Sequence, residues 1–335
     1  MINKFLNSDN NPFLLEPVGK DYLWGGTRLK NEFGKNIDLS PLAETWECST
    51  HKDGLCRAAS GKFKGMYLRD ILINNPTFLG VYANKNGELP ILIKFIDAYR
   101  NLSVQVHPDD EYAKKHENGQ LGKSEMWYVL DALPDAELIY GFYHDITKKQ
   151  LKDSLEDGSV EKYLQKIKIN KNDTFFIEAG TVHAICKGAL IAEIQENSNL
   201  TYRLYDYNRT DKNGQKRELH IDKALDVVNL KSSANPRQPM RTLRYCRGEA
   251  TELISRCKYF HVYRCLLNTE CTRQLVNFKS NTNSFKVLLC IDGCGVLFMN
   301  NGESLNFFKG DCIFVPANAP DIKIHGKGQL LIVEC

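Results

Sequence analysis

The chain has 335 residues, which is room for two domains of ordinary size. Its 44 basic and 41 acidic residues leave a formal charge of +3, an excess too small to indicate a nucleic-acid or membrane-surface partner. The sequence has no run of 18 apolar residues and no apolar block near its start. We therefore expect neither a transmembrane helix nor a signal peptide, and we predict a cytoplasmic protein.

In chain order, the apolar periodicity predicts five helices among many short strands. The helix signals lie at 68–75, after Pro108, from Thr147 with Gln150 completing a capping box, from Ser159, and at 222–230. Short apolar or alternating segments predict strands at 91–98, 102–107, 126–131, 175–178, 191–196, 286–291, 296–299, 312–315 and 330–333. This spacing favours a mainly β sandwich or barrel over a parallel doubly wound sheet.

Eleven cysteines are spread along the chain without a pairing pattern. Their number is odd and no Cys-x-x-Cys pair occurs, which argues against both a zinc ribbon and a disulfide framework. Several, such as Cys290 and Cys312, lie inside apolar runs. We interpret the cysteines as buried, reduced thiols.

An internal repeat favours two similar barrels. Residues 173–183 read DTFFIEAGTVH and residues 311–321 read DCIFVPANAPD, each with a turn acid, an apolar strand and a small-residue turn. The pattern resembles the second conserved motif of cupins, which are small jelly-roll barrels, although chance similarity of two turn–strand–turn segments is the alternative. The first copy ends in His183 and the second in Asp321. We therefore predict two cupin-type jelly rolls, with a few helices inserted in and flanking the first, and a metal site in the first alone.

The segment SSANPRQP at 232–239 has the composition of a linker. We place the domain boundary there. The prediction is a catalytic domain over 1–239 that holds the metal and the helices, and a C-terminal jelly roll over 240–335 that holds no metal.

The segment LSVQVHPDD combines an apolar face with a polar one. In a strand, alternate residues share a face, so Ser103, Gln105 and His107 point opposite to the leucine and valines. A His that merely faces water is the alternative. With Glu125 and His183 on separate predicted strands, however, the chain offers nitrogen and oxygen ligands typical of a catalytic zinc site. Iron or manganese also suits these ligands, and polar residues scattered on turns remain the alternative.

The segment IAEIQENSNLTYRLYDYNR is unusually polar for a strand and its exit. Glu193 shares a face with Gln195, so it can line the same cavity as a general base or a supporting group. Arg203 and Arg209 follow, set among tyrosines. They suit recognition of a phosphate or an enediolate, unless they only stack on the tyrosines and form surface ion pairs. A glycine-rich phosphate loop is absent, so side chains must hold any phosphate.

Four blocks occur together in one order: LSVQVHPDDEYA, GKSEMWYVLDA, FFIEAGTVHAI and AEIQENSNLTYRLYDYNR. With DYLWGGTRL and AETWECS near the start, they resemble the signature blocks of type I mannose-6-phosphate isomerases, in the shorter bacterial form. The resemblance runs from about residue 12 to the end of the chain. It implies a zinc-dependent cupin enzyme that interconverts mannose 6-phosphate and fructose 6-phosphate through a cis-enediol, with a sugar phosphate as its partner. It does not indicate an oligomeric state.

By the same resemblance, one Zn²⁺ per chain is held by His107, Glu125 and His183, with Gln105 matching a fourth ligand of the longer forms. Arg203 matches the family's catalytic arginine, Glu193 an active-site glutamate and Lys123 an active-site lysine. One departure is Ser124, where the longer forms have proline, which weakens the placement of Lys123. The proton-transferring base is open between Glu193, Lys123 acting through water and a zinc-bound hydroxide.

Two other functions compete with the isomerase. A metal-dependent cupin oxygenase uses similar ligands but predicts iron and oxygen consumption. A sugar-binding cupin without catalysis is expected to lack one or more ligands of the first barrel, whereas this chain keeps all three.

Overall fold

The computed structural model describes residues 10–210, 214–234, 236, 241–270, 272 and 274–335. Within these ranges no helix is long and apolar enough to cross a membrane. The helices are α1 (Arg28–Phe33), α2 (Leu68–Asn74), α3 (Asp110–His116), α4 (Lys148–Glu156) and α5 (Ile221–Val227).

Strands dominate the described chain. The first eleven are β1 (Phe13–Glu16), β2 (Val18–Lys20), β3 (Glu44–Cys48), β4 (Arg57–Ala58), β5 (Ile91–Asp97), β6 (Val104–Val106), β7 (Glu125–Ala132), β8 (Glu137–Phe142), β9 (Leu164–Lys168), β10 (Thr174–Ile177) and β11 (His183–Ile185). The others are β12 (Ala189–Glu196), β13 (Tyr202–Tyr205), β14 (Arg244–Cys246), β15 (Glu249–Arg256), β16 (His261–Asn268), β17 (Val276–Phe278), β18 (Lys286–Phe298), β19 (Ser304–Phe308), β20 (Cys312–Val315) and β21 (Ile322–Glu334). The prediction of a mainly β chain with few helices is confirmed.

Local capping explains the helices that the sequence predicted correctly. The side chain of Asp109 accepts a hydrogen bond from the backbone N–H of Tyr112 at the start of α3. At α4, Thr147 and Gln150 form both halves of the predicted capping box. These contacts satisfy backbone donors that the first helical turn leaves unpaired, so the helices begin where the sequence places them.

The helix predicted from Ser159 is wrong. Only a short 3₁₀ turn covers Val160–Lys162, and the chain then enters β9. Leu164 lies opposite Phe142 and Ile167 opposite Leu138, so the segment completes a sheet edge beside β8. Leu164 and Ile167 are three residues apart, which is the spacing of a helix face, but pairing with β8 prevails over this local signal.

The described residues fall into two compact units. The first takes its residues from Met1–Val18, Trp46–Leu92 and Met240–Cys335. Its ten-stranded sheet has the order β14-β15-β16-β21-β18-β20-β1-β4, with β17 beside β21 and β19 beside β18. The long strands β18 and β21 pair along their whole length and contribute to an apolar core that includes Leu288, Leu297, Phe307 and Leu330.

The second unit takes its residues from Gly19–Thr45 and Ile93–Pro239 and is built on two sheets. Sheet I has the order β10-β7-β12-β5-β3-β2, and sheet II has the order β13-β6-β11-β8-β9. Their facing sides share one buried cluster, in which Trp127 and Ile191 of sheet I meet Leu138 and Ile185 of sheet II. The other side of sheet II packs on α4 and α5 through a second cluster that includes Val106 and Leu151. The cavity described below lies between the two sheets.

The two units are discontinuous in sequence, whereas the sequence predicted one boundary at 239/240. The reason lies in strand pairing, because β1 joins the sheet of the C-terminal residues with Phe13 opposite Phe314 and Leu15 opposite Cys312. Half of the linker predicted at 232–239 lies outside the described residues. The assignment of catalysis to 1–239 stays a prediction. The repeat strands correspond, since Thr174–Ile177 and Cys312–Val315 are both four-residue strands.

Candidate metal centre and active site

Three strands of the second unit bring together the residues that the sequence proposed as metal ligands. His107 follows β6, His183 opens β11, and Glu125 opens β7 on the facing sheet. Within sheet II, His183 lies directly opposite Gln105 on β6, because β6 and β11 are antiparallel neighbours. The two histidines therefore approach from one sheet and the carboxylate from the other.

The ligand atoms of these three residues lie within 4.8 Å of one another. His107 Nε2 is 3.1 Å from His183 Nε2. Glu125 Oε1 lies 3.4 Å from His183 Nε2, and Glu125 Oε2 lies 3.6 Å from His107 Nε2. All three side chains are buried. A tetrahedral zinc ion with bonds of about 2.0–2.1 Å needs donor atoms about 3.3 Å apart, which these separations match.

The surrounding contacts also fit a metal. His183 Nδ1 lies 2.8 Å from the carbonyl oxygen of Thr181, so the ring donates its Nδ1–H there and leaves the lone pair of Nε2 directed at the cluster. Glu125 Oε1 has no hydrogen-bond partner among the described residues, and Glu125 Oε2 lies 2.8 Å from Lys123 Nζ. A buried carboxylate oxygen without a partner is expected where a cation belongs.

Burial keeps both imidazoles neutral. It lowers the pKa of His107 well below its ordinary value, with the charge of Lys123 acting in the same direction. Burial also lowers the pKa of His183 to about 4. Burial and the charge of Glu193 raise the pKa of Glu125, which a bound cation would oppose. Neutral imidazole is the form that binds a metal ion.

The amide of Gln105 lies next to this group. Its Nε2 is 3.3 Å from His183 Nε2, and rotation of the amide would present the oxygen at the same position. Gln105 is therefore close enough to act as a further ligand, as the resemblance implied, or to hydrogen-bond to a group in the cavity.

A row of buried charges crosses sheet I beside the metal group. Lys94 Nζ on β5 lies 3.0 Å from Glu193 Oε1 on β12 and 4.0 Å from Glu44 Oε2 on β3. Trp127 Nε1 on β7 donates a hydrogen bond to Glu193 Oε2 at 2.9 Å. Each of these polar groups is paired inside the barrel, so the row forms a fixed wall of the cavity.

The carboxylate of Glu193 is held in its ionised form. Burial alone would raise its pKa, but the charges of Lys94 and Lys123 and the hydrogen bonds from Lys94 and Trp127 lower it to about 2. Burial would likewise lower the pKa of Lys94, but Glu193 and Glu44 raise it above its ordinary value. The low pKa leaves Glu193 unprotonated and able to accept a proton, but makes it a weaker base than a carboxylate of ordinary pKa.

Lys123 lies between the metal group and Glu193. Its Nζ is 2.8 Å from Glu125 Oε2, 3.2 Å from His107 Nε2 and 3.9 Å from Glu193 Oε1. Its backbone N–H donates to the carbonyl oxygen of Pro108. The next residue, Ser124, donates its N–H to a carboxylate oxygen of Glu196 at 2.7 Å. The serine in place of proline thus supplies a hydrogen bond that proline could not make.

Arg203 reaches the cavity from the edge of sheet II. It lies on β13 directly opposite Gln105 of β6, so Arg203, Gln105 and His183 occupy one row across three neighbouring strands. Its Nη1 donates to the carbonyl oxygen of Glu218 at 2.7 Å, and its Nε donates to Ser103 Oγ at 3.3 Å. These contacts fix the guanidinium at the wall of the cavity.

The cavity between the two sheets measures about 260 Å³ and is lined mainly by polar groups. That size suits a small polar metabolite better than a drug-sized apolar ligand. Three of its charged wall residues were not identified from the sequence, namely Lys94, Glu44 and Arg217. Lys94 carried a usable signal, because it is a single charge within the apolar run ILIKFI. The complete lining consists of Tyr22, Trp24, Glu44, Lys94, Ile96, Leu102, Ser103, Gln105, Lys123, Ile185, Glu193, Asn199, Thr201, Arg203 and Arg217.

Comparison with known proteins identifies relatives of the whole chain. A sequence model described as phosphomannose isomerase type I, catalytic domain, matches residues 13–123, and one described as mannose-6-phosphate isomerase, cupin domain, matches residues 249–335. The chain is 36% identical over 325 residues to mannose-6-phosphate isomerase ManA of Bacillus subtilis, covering 96% of this chain and 98% of the relative. It is 38% identical over 320 residues to mannose-6-phosphate isomerase of Streptococcus mutans, covering 96% and 97%.

A solved structure agrees with these relatives. The crystal structure of the mannose 6-phosphate isomerase from Bacillus subtilis matches with a TM-score of 0.87 and 34% identity, over 96% of this chain and 99% of that one. The match confirms the cupin fold predicted from the internal repeat, and the sequence identity extends over nearly the whole chain. The chain belongs to the type I mannose-6-phosphate isomerase family.

Proposed function

We propose that this chain interconverts mannose 6-phosphate and fructose 6-phosphate at a zinc ion held by His107, Glu125 and His183. The observation that carries the proposal is the buried group of two neutral imidazoles and one carboxylate, with donor atoms 3.1–3.6 Å apart, at the wall of a polar cavity. Gln105 is a further candidate ligand. When bound, the metal supplies Lewis-acid stabilisation of negative charge on substrate oxygens.

The protein's own residues account for the remaining requirements of an aldose–ketose isomerase. The reaction moves a proton between C1 and C2 through an enediol, so a proton acceptor must lie beside the two carbons. Glu193 is ionised and lines the cavity, and Lys94 and Trp127 fix its two oxygens. We assign proton transfer to Glu193, with Lys123 beside it as the donor to the substrate oxygen.

Arg203 opposes the charge that develops during the reaction. Its guanidinium is half-buried and held by Ser103 and the backbone of Glu218, so it needs little rearrangement when charge appears on the enediolate. Fixed donors of this kind stabilise a transition state more strongly than a mobile side chain does.

A coupled assay tests the function. The protein is incubated with mannose 6-phosphate, and the fructose 6-phosphate formed is measured before chelation, after chelation and after zinc is restored. We expect turnover that chelation abolishes and zinc restores. Absence of fructose 6-phosphate from the zinc-loaded protein would refute the proposal.

Solvent exchange tests the roles of Glu193 and Lys123. Substrate hydrogen at C2 should exchange with deuterium from heavy water in the wild type, and Glu193→Gln should lose this exchange. Exchange retained in Glu193→Gln but lost in Lys123→Met would transfer the proton-accepting role to Lys123.

A further inference from the structure

The cavity carries a second basic group at the end away from the metal residues. Neighbouring strands lie about 4.8 Å apart, so the row His183, Gln105, Arg203 spans about 10 Å across sheet II. Arg217 lines the cavity together with Arg203. Burial lowers the pKa of Arg203, and the positive charge of Arg217 lowers it further. This effect agrees with the closeness of the two guanidinium groups.

One buried carboxylate holds two arginines in different ways. Arg217 Nε and Nη2 donate to the two oxygens of Asp206 at 2.8 and 2.6 Å, a two-pronged contact that fixes the guanidinium plane. Arg209 also donates to Asp206, and it reaches the carbonyl oxygen of Asn101 as well.

These contacts leave the two arginines with different capacities. The Nη1 and Nη2 groups of Arg209 are both engaged by protein oxygens, and Arg209 does not line the cavity. The Nη1 of Arg217 has no hydrogen-bond partner in the part of the chain that the structure describes. Arg217 therefore lines the cavity with a donor to spare, whereas Arg209 ties the loop to its neighbours.

The charges at this end do not cancel. The buried carboxylate of Asp206 pairs with Arg209 and Arg217 and also acts electrostatically on Arg203, so three guanidinium groups face one buried carboxylate and leave an excess of two positive charges. The other carboxylate acting on Arg203 is that of Glu218, whose side chain is 82% exposed. Water screens that charge more strongly than the buried groups are screened. A phosphate monoester carries about −1.5 to −2 charges at neutral pH, which complements the excess.

We propose that Arg217, positioned by Asp206, binds the phosphate group of the substrate and sets the preference for a phosphorylated over a free sugar. This rests on the proposed function, in which the carbon atoms that react lie at the metal end. A sugar phosphate that extends along the row from His183 towards Arg203 places its phosphate beside Arg217.

Steady-state kinetics of zinc-loaded Arg217→Ala test the proposal. We expect KM for mannose 6-phosphate to rise about 10- to 100-fold with kcat within about threefold of wild type, because a charge-assisted hydrogen bond to the ground state is lost. The inhibition constant of inorganic phosphate should rise by the same factor. Turnover of free mannose should be unchanged, so the preference for the phosphorylated sugar falls. Arg217→Lys keeps a positive charge but not the planar fork of the guanidinium, so its KM should lie between those of wild type and Arg217→Ala.

Arg209→Ala is the matched control, because Arg209 contacts the same carboxylate without lining the cavity. We expect it to lower the melting temperature and to raise KM much less than Arg217→Ala does, because it removes a nearby positive charge but no donor that lines the cavity. An unchanged KM and phosphate inhibition constant in folded Arg217→Ala and Arg217→Lys would overturn the proposal. So would a fall in kcat at constant KM.

Calorimetric titration of inorganic phosphate separates this proposal from the proposed function. Phosphate binding that weakens in Arg217→Ala supports the phosphate site even if the wild type does not isomerise mannose 6-phosphate. Wild-type isomerisation with phosphate binding that is independent of Arg217 leaves the function intact and refutes the role of Arg217.

Discussion

Replacing Lys94 with methionine should destabilise the protein through the carboxylate that it leaves behind. At 3.0 Å and an effective dielectric constant of about 20, the attraction between Lys94 and Glu193 is about 5.5 kcal/mol before the cost of burying the two charges. Removal of one partner from a buried pair costs about 3–5 kcal/mol. Lys123 Nζ lies 3.9 Å from the same oxygen and Trp127 donates to the other. We therefore expect the lower end, about 3 kcal/mol.

Urea unfolding of the metal-loaded protein at neutral pH measures this loss. The double variant Lys94→Met/Glu193→Gln should be more stable than the sum of the single effects by about 1.5 kcal/mol or more, because the carboxylate nearest to the missing ammonium no longer carries a charge. Lys168→Met is a matched control, since Lys168 pairs with Asp135 at 2.9 Å on the surface, and we expect no measurable change. A Lys94→Met variant as stable as wild type would refute the reasoning.

Three further predictions concern single residues. Arg203→Ala should lower kcat about 10²–10³-fold with little change in KM. Arg203→Lys should recover little of the lost kcat, because an ammonium lacks the planar fork. A raised KM at constant kcat would instead make Arg203 a residue that anchors the substrate. Burial alone would raise the pKa of Asp206, but the hydrogen bonds and charges of Arg217 and Arg209 outweigh it and lower this pKa. The contribution of Asp206 to stability is therefore present above the unfolded pKa of about 3.9 and is lost as pH falls through the lower folded pKa. The stability difference between wild type and Asp206→Asn should therefore shrink in acid, and a difference independent of pH would contradict this. Burial, together with a contact to Asp110, raises the pKa of Glu196 from 4.5 to about 8. Between these pH values the folded state holds a proton that the unfolded state has released, so stability falls as the pH rises. Glu196→Gln should gain on wild type by up to about 1.4 kcal/mol per pH unit across that window in urea unfolding, and equal slopes would exclude the shift.

Local signals were sufficient for much of the fold. The capping box at Thr147 and the acidic start of α3 act within one turn of the helix, so neighbouring residues determine them. The repeat around 173–183 and 311–321 predicted two corresponding strands. The segment after Ser159 failed because a long-range contact, the pairing of β9 with β8, decided its conformation. The pairing of β1 with β20 was inaccessible for the same reason.

The candidate site divides in a similar way. The polar face containing Gln105 and His107 was visible because strand alternation is local. Its meeting with His183 depends on the register between β6 and β11, which the family resemblance implied and the periodicity did not. Arg209 and Arg217 lie eight residues apart in a polar stretch, so the sequence could not show that Arg217 lines the cavity whereas Arg209 is held by Asp206 and Asn101 outside it.

Zinc content per chain tests the central claim most directly. Wild type and His183→Ala are loaded with zinc, freed of excess metal, and measured by atomic spectroscopy beside His261→Ala, whose histidine lies on β16 in the other unit. We predict one equivalent in wild type and in His261→Ala, and little zinc in His183→Ala, because three ligands are needed to hold the ion in the buried site. A full equivalent retained by His183→Ala would contradict the assignment of the metal to His107, Glu125 and His183.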